Sequence, residues 1–342
     1  MDRSQSRSAA ESPALSVRNL AIDIRLRTGI VTAVKDVSLD VQAGETVVVL
    51  GESGSGKSLT AMSMMGLLPE RAWASSGEVI FGTDDLLSLD ARGWRRVRGP
   101  GMAMVFQDSL AALNPVQSIG AQLTECFRVH LGSGRREARA RAIDILARVG
   151  IPDPAGRLSA YPHQFSGGMR QRVMIAMAIA LRPKILIADE PTTALDVTVQ
   201  AQILELFESL VDEIKMGLVL ITHDLGVAAQ VADRVIVMYA GRIVEEGPAD
   251  QVLESPMHPY TAALLSSVPS AETARGQLTA IKGSPPLLSD VPQGCSFAPR
   301  CLWASTECLG HVPSLADVAP SRAVACHNWR EFANEWHVQQ PR

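Results

Sequence analysis

The fold is decided by the stretch Thr46-Val47-Val48-Val49-Leu50-Gly51-Glu52-Ser53-Gly54-Ser55-Gly56-Lys57-Ser58. Its first five residues form a continuous β-branched and apolar run, which predicts a short buried strand. The next eight match the pattern G-x-x-x-x-G-K-[ST], and helical spacing follows from Lys57 to Leu68. Backbone N–H groups and a helix N-terminus in such a loop attract anions. The stretch therefore predicts a phosphate-binding loop of a nucleotide site.

The residue types in this loop have chemical reasons. Glycine permits positive φ, and it lets the backbone approach phosphate oxygens where a Cβ would collide. We expect Lys57 to reach the β- and γ-phosphates and the Ser58 hydroxyl to coordinate Mg²⁺. The residues predicted to bind the nucleotide here are Gly51, Gly54, Ser55, Gly56, Lys57 and Ser58.

A second apolar run, Ile185–Ala188, ends in the carboxylates Asp189 and Glu190. A strand buried on both faces explains the apolar residues, and ligands bind at the carboxyl ends of such strands. We expect Asp189 to hold the magnesium ion, directly or through water, and Glu190 to orient and polarise the attacking water. The alternative is that Glu190 pairs with a surface lysine or arginine.

Between these motifs lies Ser166-Gly167-Gly168-Met169-Arg170-Gln171, in which Ser166 can cap a helix whose glycines leave N–H groups exposed. Together the three motifs resemble the nucleotide-binding subunit of an ATP-binding cassette (ABC) transporter. The resemblance implies that Ser166 and Gly168 contact the γ-phosphate held by a second subunit, so that ATP joins two cassettes. Met169 departs from the commoner glutamine.

The resemblance also implies roles for three further side chains. Gln107, after the predicted strand Met102–Phe106, matches the hinge glutamine that touches Mg²⁺ and the water. His223, after Leu218–Thr222, matches the switch histidine that contacts the γ-phosphate. Asp196, which ends Thr193-Ala194-Leu195-Asp196, matches a residue that communicates across the dimer. The implied catalytic residues are Glu190, His223 and Gln107, and the implied magnesium ligands are Ser58, Gln107 and Asp189.

The alternation of strands and helices predicts an α/β fold with a mainly parallel sheet that is covered on both faces. The resemblance makes this a P-loop NTPase with a RecA-like core. Helical spacing at 119–131 and 135–149 indicates a helical subdomain at about 110–165. We expect a disordered tail at residues 1–14, the ATPase domain at 15–250, and a small cysteine-rich extension at 251–342.

The extension carries four cysteines spaced C-x5-C-x6-C-x17-C: Cys295, Cys301, Cys308 and Cys326. Four thiolates can hold Zn²⁺ or a [4Fe–4S] cluster, and four reduced thiols in a small core are the third interpretation. The segments 258–265 and 294–301 resemble the C-terminal extension of oligopeptide/dipeptide permease ATPases. Because some of those proteins carry an iron–sulfur cluster, the resemblance favours the cluster over zinc.

The net charge of −4 gives no electrostatic reason to expect a nucleic acid partner. No apolar run approaches the ~18 residues needed to span a bilayer, and residues 1–12 lack a secretory segment, so we expect a cytoplasmic protein. The resemblance implies the ATPase of a bacterial peptide importer, on the cytoplasmic face of the inner membrane. Its implied partners are a second ATPase chain or a copy of itself, two transmembrane permease subunits and, indirectly, an extracellular solute-binding protein.

Two alternatives to peptide import stay open from the sequence: a nickel or sugar importer, and a soluble ABC ATPase outside transport. The second usually has tandem cassettes or long coiled-coil insertions, and this chain has one cassette and no sustained heptads. The segment Leu26–Val34 contains no aromatic residue to stack on adenine. We therefore expect an aliphatic contact from Ile30 or Val31 and weak selectivity for the base.

Overall fold

The computed structural model describes residues 12–108, 112–192, 195–267, 281–288 and 290–339, with side chains up to residue 336. Most of the predicted tail at 1–14 therefore lies outside the described residues, as do Thr193 and Ala194. None of the helices in the described ranges is long and apolar enough to cross a membrane.

The described strands run as follows: β1 Leu15–Leu26, β2 Gly29–Val41, β3 Thr46–Leu50, β4 Ala72–Phe81, β5 Asp84–Asp85, β6 Met102–Val105, β7 Ile185–Asp189, β8 Gly217–Ile221, β9 Arg234–Tyr239, β10 Arg242–Pro248, β11 Ala316–Ala319 and β12 Arg322–Val324. The described α-helices are α1 Lys57–Met64, α2 Ala91–Val97, α3 Ile119–Leu131, α4 Arg135–Arg148, α5 Pro154–Arg157, α6 Gly167–Ile179, α7 Val197–Ile214, α8 Leu225–Val231, α9 Ala249–Glu254, α10 Pro259–Ser266, α11 Thr306–Gly310 and α12 Trp329–Gln339.

The larger sheet has the strand order β11-β12-β10-β9-β3-β8-β7-β6. Its five strands from β9 to β6 are parallel, and β10, β12 and β11 continue it in antiparallel pairing. All five residues of β3 are buried, as expected for a central strand with both faces covered. The predicted α/β fold with a mainly parallel sheet is confirmed, and β3 delivers the phosphate loop at its carboxyl end.

The smaller sheet, β2-β1-β4-β5, is antiparallel and covers one face of the larger one. Its buried side chains, among them Leu20 and Ile22, pack with Val49 of β3 and Met64 of α1. This face of the larger sheet is therefore covered by α1 together with a second sheet. The physical reason is the alternation in β1, which gives a strand one apolar side that only another layer can bury.

The helices α3 and α4 lie within the range predicted for the helical subdomain and pack with α6, which follows that range, through buried side chains that include Leu123, Phe127 and Leu146. The helix α3 begins at Ser118, whose Oγ accepts a hydrogen bond from the backbone N–H of Ala121 at 3.2 Å. Periodicity located α3 and α4 correctly because each of these helices has one apolar face.

The C-terminal extension shares both the sheet and the core of the ATPase domain. Strand β12 pairs with β10, and the fully buried Glu245 on β10 meets Arg322 on β12 at 3.0 Å. Tyr260 and Phe297 of the extension belong to the same core cluster as the helices of the main domain. The boundary at residue 250 stays a prediction, and packing is continuous across it.

Candidate active site

The phosphate loop adopts the backbone conformation that its glycines permit. Gly51, Gly54 and Gly56 have φ values of 152°, 80° and 102°, which L side chains rarely adopt. A Cβ on Gly51 would also collide with the carbonyl oxygen of Met238. The N-cap residue of α1 is Gly56, which has no side chain to accept a hydrogen bond. No capping side chain therefore occupies the first N–H groups of the helix.

Lys57 is 6% exposed, and its ammonium folds back onto the loop. Its Nζ donates to the carbonyl oxygens of Gly51 at 2.7 Å and Glu52 at 2.9 Å. Burial lowers the pKa of Lys57, and the negative charges of Glu190, Asp189 and Glu52 oppose that effect. The loop thus holds a cation against its own backbone at the site where we expect phosphate oxygens.

Asp189, at the end of β7, is 3% exposed, and its carboxylate is hydrogen-bonded to Ser58. Burial raises the pKa of Asp189, and the Ser58 hydrogen bond opposes the rise. Its Oδ1 atom is buried without a hydrogen-bond partner among the described residues. An orphaned carboxylate oxygen beside a serine hydroxyl is a donor set that suits Mg²⁺, which prefers oxygen ligands. Of the residues predicted to hold magnesium, Ser58 and Asp189 therefore fit the ion.

The three side chains implied to be catalytic lie together. Glu190 Oε2 accepts a hydrogen bond from Gln107 Nε2 at 2.8 Å, and Glu190 Oε1 lies 3.3 Å from His223 Nδ1. Glu190 has a φ of 47°, in the left-handed region, and its N–H donates to the carbonyl oxygen of Ile221. The chain bends sharply after β7 at this residue, and such backbone outliers cluster at functional sites.

The Ser-Gly-Gly segment lies at the start of α6. Ser166 Oγ accepts from the N–H of Met169 at 3.3 Å, the predicted N-cap bond. Among the described residues, no hydrogen bond joins Ser166 or Gly168 to the phosphate loop of the same chain. Gln171 Nε2 donates to the carbonyl oxygen of Pro191 at 2.8 Å, so the helix is tied to the segment that follows Glu190.

Asp196 acts within this chain as the N-cap of α7. Its Oδ1 accepts a hydrogen bond from the N–H of Val199 at 3.0 Å. A capping carboxylate also interacts favourably with the positive helix N-terminus. Its implied role across a dimer stays a prediction.

The four cysteines of the extension are unbridged thiols in one neighbourhood. Burial, together with the neighbouring thiols, raises the pKa of Cys295, that of Cys301 to about 11 and that of Cys326 to about 12. The Sγ of Cys301 accepts a hydrogen bond from the N–H of Trp303 at 3.3 Å. Within the described ranges, no group of three or more His, Cys, Asp or Glu side chains is arranged to hold a metal ion.

Sequence reasoning missed two residues that touch the phosphate loop from the extension. The Tyr260 hydroxyl accepts from the N–H of Glu52 at 2.8 Å, across 208 residues of sequence. Arg300 donates to both carboxylate oxygens of Glu52, across 248 residues. The only sequence signal was their place inside the two segments that resemble the permease extension.

A phosphate loop at the end of a central parallel strand, with paired carboxylates on the same sheet, defines a P-loop nucleoside triphosphatase. Residues 34–193 match the family described as ABC transporter, and residues 244–308 match the family described as oligopeptide/dipeptide transporter, C-terminal region.

Two relatives carry the name peptide import ATP-binding protein. One, from Brucella melitensis biotype 1, is 48% identical over 95% of this chain and 99% of its own length. The other, from Brucella abortus strain 2308, is 50% identical over 92% of this chain and 95% of its own length.

Among solved structures, the dimeric post-hydrolysis state of the ATP-binding cassette MJ0796, bound to ADP and Pi, is similar. It has a TM-score of 0.63 and 28% identity, and the match covers 69% of this chain and 98% of that one. The chain belongs to the ABC transporter family, as an ATPase subunit with the C-terminal region of oligopeptide/dipeptide transporters. As an ATPase of this family it binds ATP with Mg²⁺.

Proposed function

We propose that this chain hydrolyses ATP to drive the import of dipeptides or oligopeptides through partner transmembrane subunits. The observation that carries the proposal is the match of residues 244–308 to the oligopeptide/dipeptide transporter C-terminal region. The names of relatives at 48% and 50% identity over nearly the whole chain support it. A nickel or sugar importer and a soluble ABC ATPase are the alternatives.

In the proposed reaction, Ser58, Asp189 and Gln107 would hold Mg²⁺, which would supply positive charge to the transferring phosphoryl group. Lys57 and the N–H groups of residues 51–58 bind the phosphates. Glu190 orients the attacking water and accepts its proton, and Gln107 and His223 hold the carboxylate at the 2.8 and 3.3 Å contacts described above.

The proposed active unit is a dimer of cassettes. Ser166 and Gly168 of one cassette would complete the γ-phosphate site of the other, and Asp196 would communicate across the dimer. The exposed position of Ser166 and the dimeric state of the similar MJ0796 structure support this arrangement. The second cassette is a homologous chain or a copy of this one. The two cassettes would lie at the cytoplasmic face of the inner membrane, bound to two transmembrane permease subunits, and an extracellular solute-binding protein would supply the peptide.

For the cysteines, the proposal is a [4Fe–4S] cluster, with Zn²⁺ as the alternative, held by Cys295, Cys301, Cys308 and Cys326. The mutual effect of the thiols on their pKa values shows that they lie close together, and the backbone N–H of Trp303 donates to the Sγ of Cys301, which supports the proposal. Because burial and the neighbouring thiols raise these pKa values, the positive charge of the bound metal would be needed to hold the four cysteines as thiolates. Anaerobic purification with iron and zinc analysis tests it: about four irons per chain and visible absorbance support the cluster. If zinc is found, the site is a structural clip. If neither metal is found, the four cysteines are reduced thiols.

The transport proposal is tested by reconstituting the chain with its permease subunits and binding protein in proteoliposomes. We expect ATP-dependent uptake of a labelled dipeptide or oligopeptide and no uptake of labelled nickel or sugar. The matched control carries Glu190→Gln, which should abolish uptake without preventing assembly. Uptake of nickel or sugar in place of peptide would contradict the peptide assignment, and failure to assemble with any permease would favour the soluble ATPase.

A further inference from the structure

Within the described residues, the hydrogen bonds from the C-terminal extension to the phosphate loop converge on Glu52. Arg300, which is 5% exposed at its side chain, donates from Nη1 at 2.7 Å and from Nη2 at 3.0 Å to the two carboxylate oxygens of Glu52. A bidentate pair between arginine and carboxylate fixes orientation as well as distance. Glu52 is thus held by the extension at its side chain.

The backbone of Glu52 is held as well. Its N–H donates to the Tyr260 hydroxyl at 2.8 Å, and Tyr260 is fully buried. Its carbonyl oxygen accepts from Lys57 Nζ at 2.9 Å. The polar groups of Glu52 therefore join two residues of the extension to the lysine of the phosphate loop.

The two residues of the extension are themselves rigidly supported. The Tyr260 ring packs on Tyr239 at a centroid distance of 4.5 Å and on Phe297 at 5.3 Å. Arg300 donates to the Tyr239 hydroxyl at 3.2 Å and to the carbonyl oxygen of Lys282 at 3.0 Å. Tyr239 ends β9, which is hydrogen-bonded to the loop-bearing strand β3. The contacts to Glu52 therefore start from groups with little freedom to move.

We propose that Arg300 and Tyr260 are positioning residues for the phosphate loop, and that through Glu52 they set the affinity of the site for MgATP. A displaced Glu52 would carry away a carbonyl that orients Lys57 and would loosen the loop between Gly51 and Gly54. Ordering a loop in advance of binding lowers the entropic cost of binding. The extension is thereby a working part of the nucleotide site.

The test uses the full chain with Arg300→Met, Arg300→Lys, Glu52→Gln, and the double variant of Arg300→Met with Glu52→Gln. The dissociation constant for MgATP is measured by displacement of a fluorescent ATP analogue, and KM and kcat are measured by phosphate release. We expect Arg300→Met to raise the dissociation constant and KM about tenfold while kcat at saturating ATP changes less than about twofold. Arg300→Lys should recover part of the affinity, because lysine keeps the positive charge but lacks the planar guanidinium that binds both carboxylate oxygens.

The double variant should bind no more weakly than Arg300→Met alone, because both changes break one contact. Arg18→Met is the matched control: it removes an arginine from an exposed ion pair with Asp40 and should leave nucleotide binding unchanged. If Arg300→Met does not fold, Tyr260→Phe keeps the ring packing and removes only the hydroxyl, and it should raise KM severalfold. Unchanged MgATP affinity in the folded variants, or a fall in kcat at unchanged KM, would overturn the proposal.

Discussion

Glu190 and Gln107 meet at 2.8 Å although 83 residues separate them along the chain. Each follows a strand of the parallel sheet, and β6 and β7 are neighbours in register. Because parallel strands end at the same edge, the two loops after them bring an amide and a carboxylate together. One carboxylate oxygen of Glu190 thus contacts Gln107, which precedes the helical subdomain in the chain, and the other faces His223.

Glu190→Gln should lower ATP hydrolysis by at least about 100-fold, because the amide cannot accept the proton of the attacking water. The variant should still dimerise in ATP, since the phosphate loop and Ser166 are intact. Phosphate release and size-exclusion chromatography with and without ATP measure the two properties. Glu205→Gln, an exposed carboxylate on α7, is the control. Unchanged hydrolysis in Glu190→Gln would remove Glu190 from the catalytic role.

The buried pair of Glu245 and Arg322 should matter more to stability than an exposed pair. Arg322→Met leaves a fully buried carboxylate without its cation, which costs about 3–5 kcal/mol of the free energy of unfolding. Adding Glu245→Gln should restore part of the loss, because a neutral amide no longer needs a counter-charge. Urea unfolding measures all three proteins, with Arg18→Met as an exposed reference expected to cost about 0–1 kcal/mol. An equal loss in both arginine variants would contradict the reasoning.

His258 should make stability depend on pH. It is fully buried, its Nδ1 accepts from the N–H of Tyr260, and burial lowers its pKa from 6.5 to about 3. Between these values the unfolded chain binds a proton that the folded chain does not, so stability is lost as pH falls from 6.5 towards 3. The expected loss from this residue between pH 7 and pH 5 is ~2 kcal/mol.

The comparison for His258 is His258→Asn, which keeps an acceptor at the N-cap of α10 and cannot titrate. Urea unfolding at pH 7 and pH 5 gives the pH dependence of each protein, and carboxylate effects common to both cancel in the difference. We expect the wild type to lose ~2 kcal/mol more than the variant. Parallel pH dependences would show that His258 is not buried in its neutral form.

The site should select weakly between ATP and GTP. The segment Leu26–Val34 offers Ile30, near the start of β2 and 58% exposed, and contains no aromatic residue. An aliphatic contact without hydrogen bonds to the base discriminates little, so the two dissociation constants should lie within about fivefold. Ile30→Tyr should tighten binding of both nucleotides by supplying a stacking surface. Competition against a fluorescent ATP analogue measures this, and a strict ATP preference in the wild type would contradict it.

Most of the nucleotide site was predictable because its residues occur in short, ordered motifs next to regular elements. The glycines of residues 51–58, the carboxylates after β7 and the cap at Ser166 each act through backbone geometry that a few neighbouring residues fix. The sequence also located α3 and β7 closely, because a helix buried on one side has periodic apolar residues and a strand buried on both sides is a continuous apolar run. The metal role of the cysteines is still a prediction, since four thiols at irregular spacing do not specify what they hold.

By itself, the sequence determined that this chain folds around a phosphate loop and carries the carboxylates of an ATPase, because those features depend on local backbone chemistry. The tertiary structure decided which distant residues serve the loop. Tyr260 and Arg300 reach Glu52 only because β9 and β10 carry the chain back beside β3 and the extension packs onto them. Such contacts depend on how whole elements pack, and no local residue pattern records that.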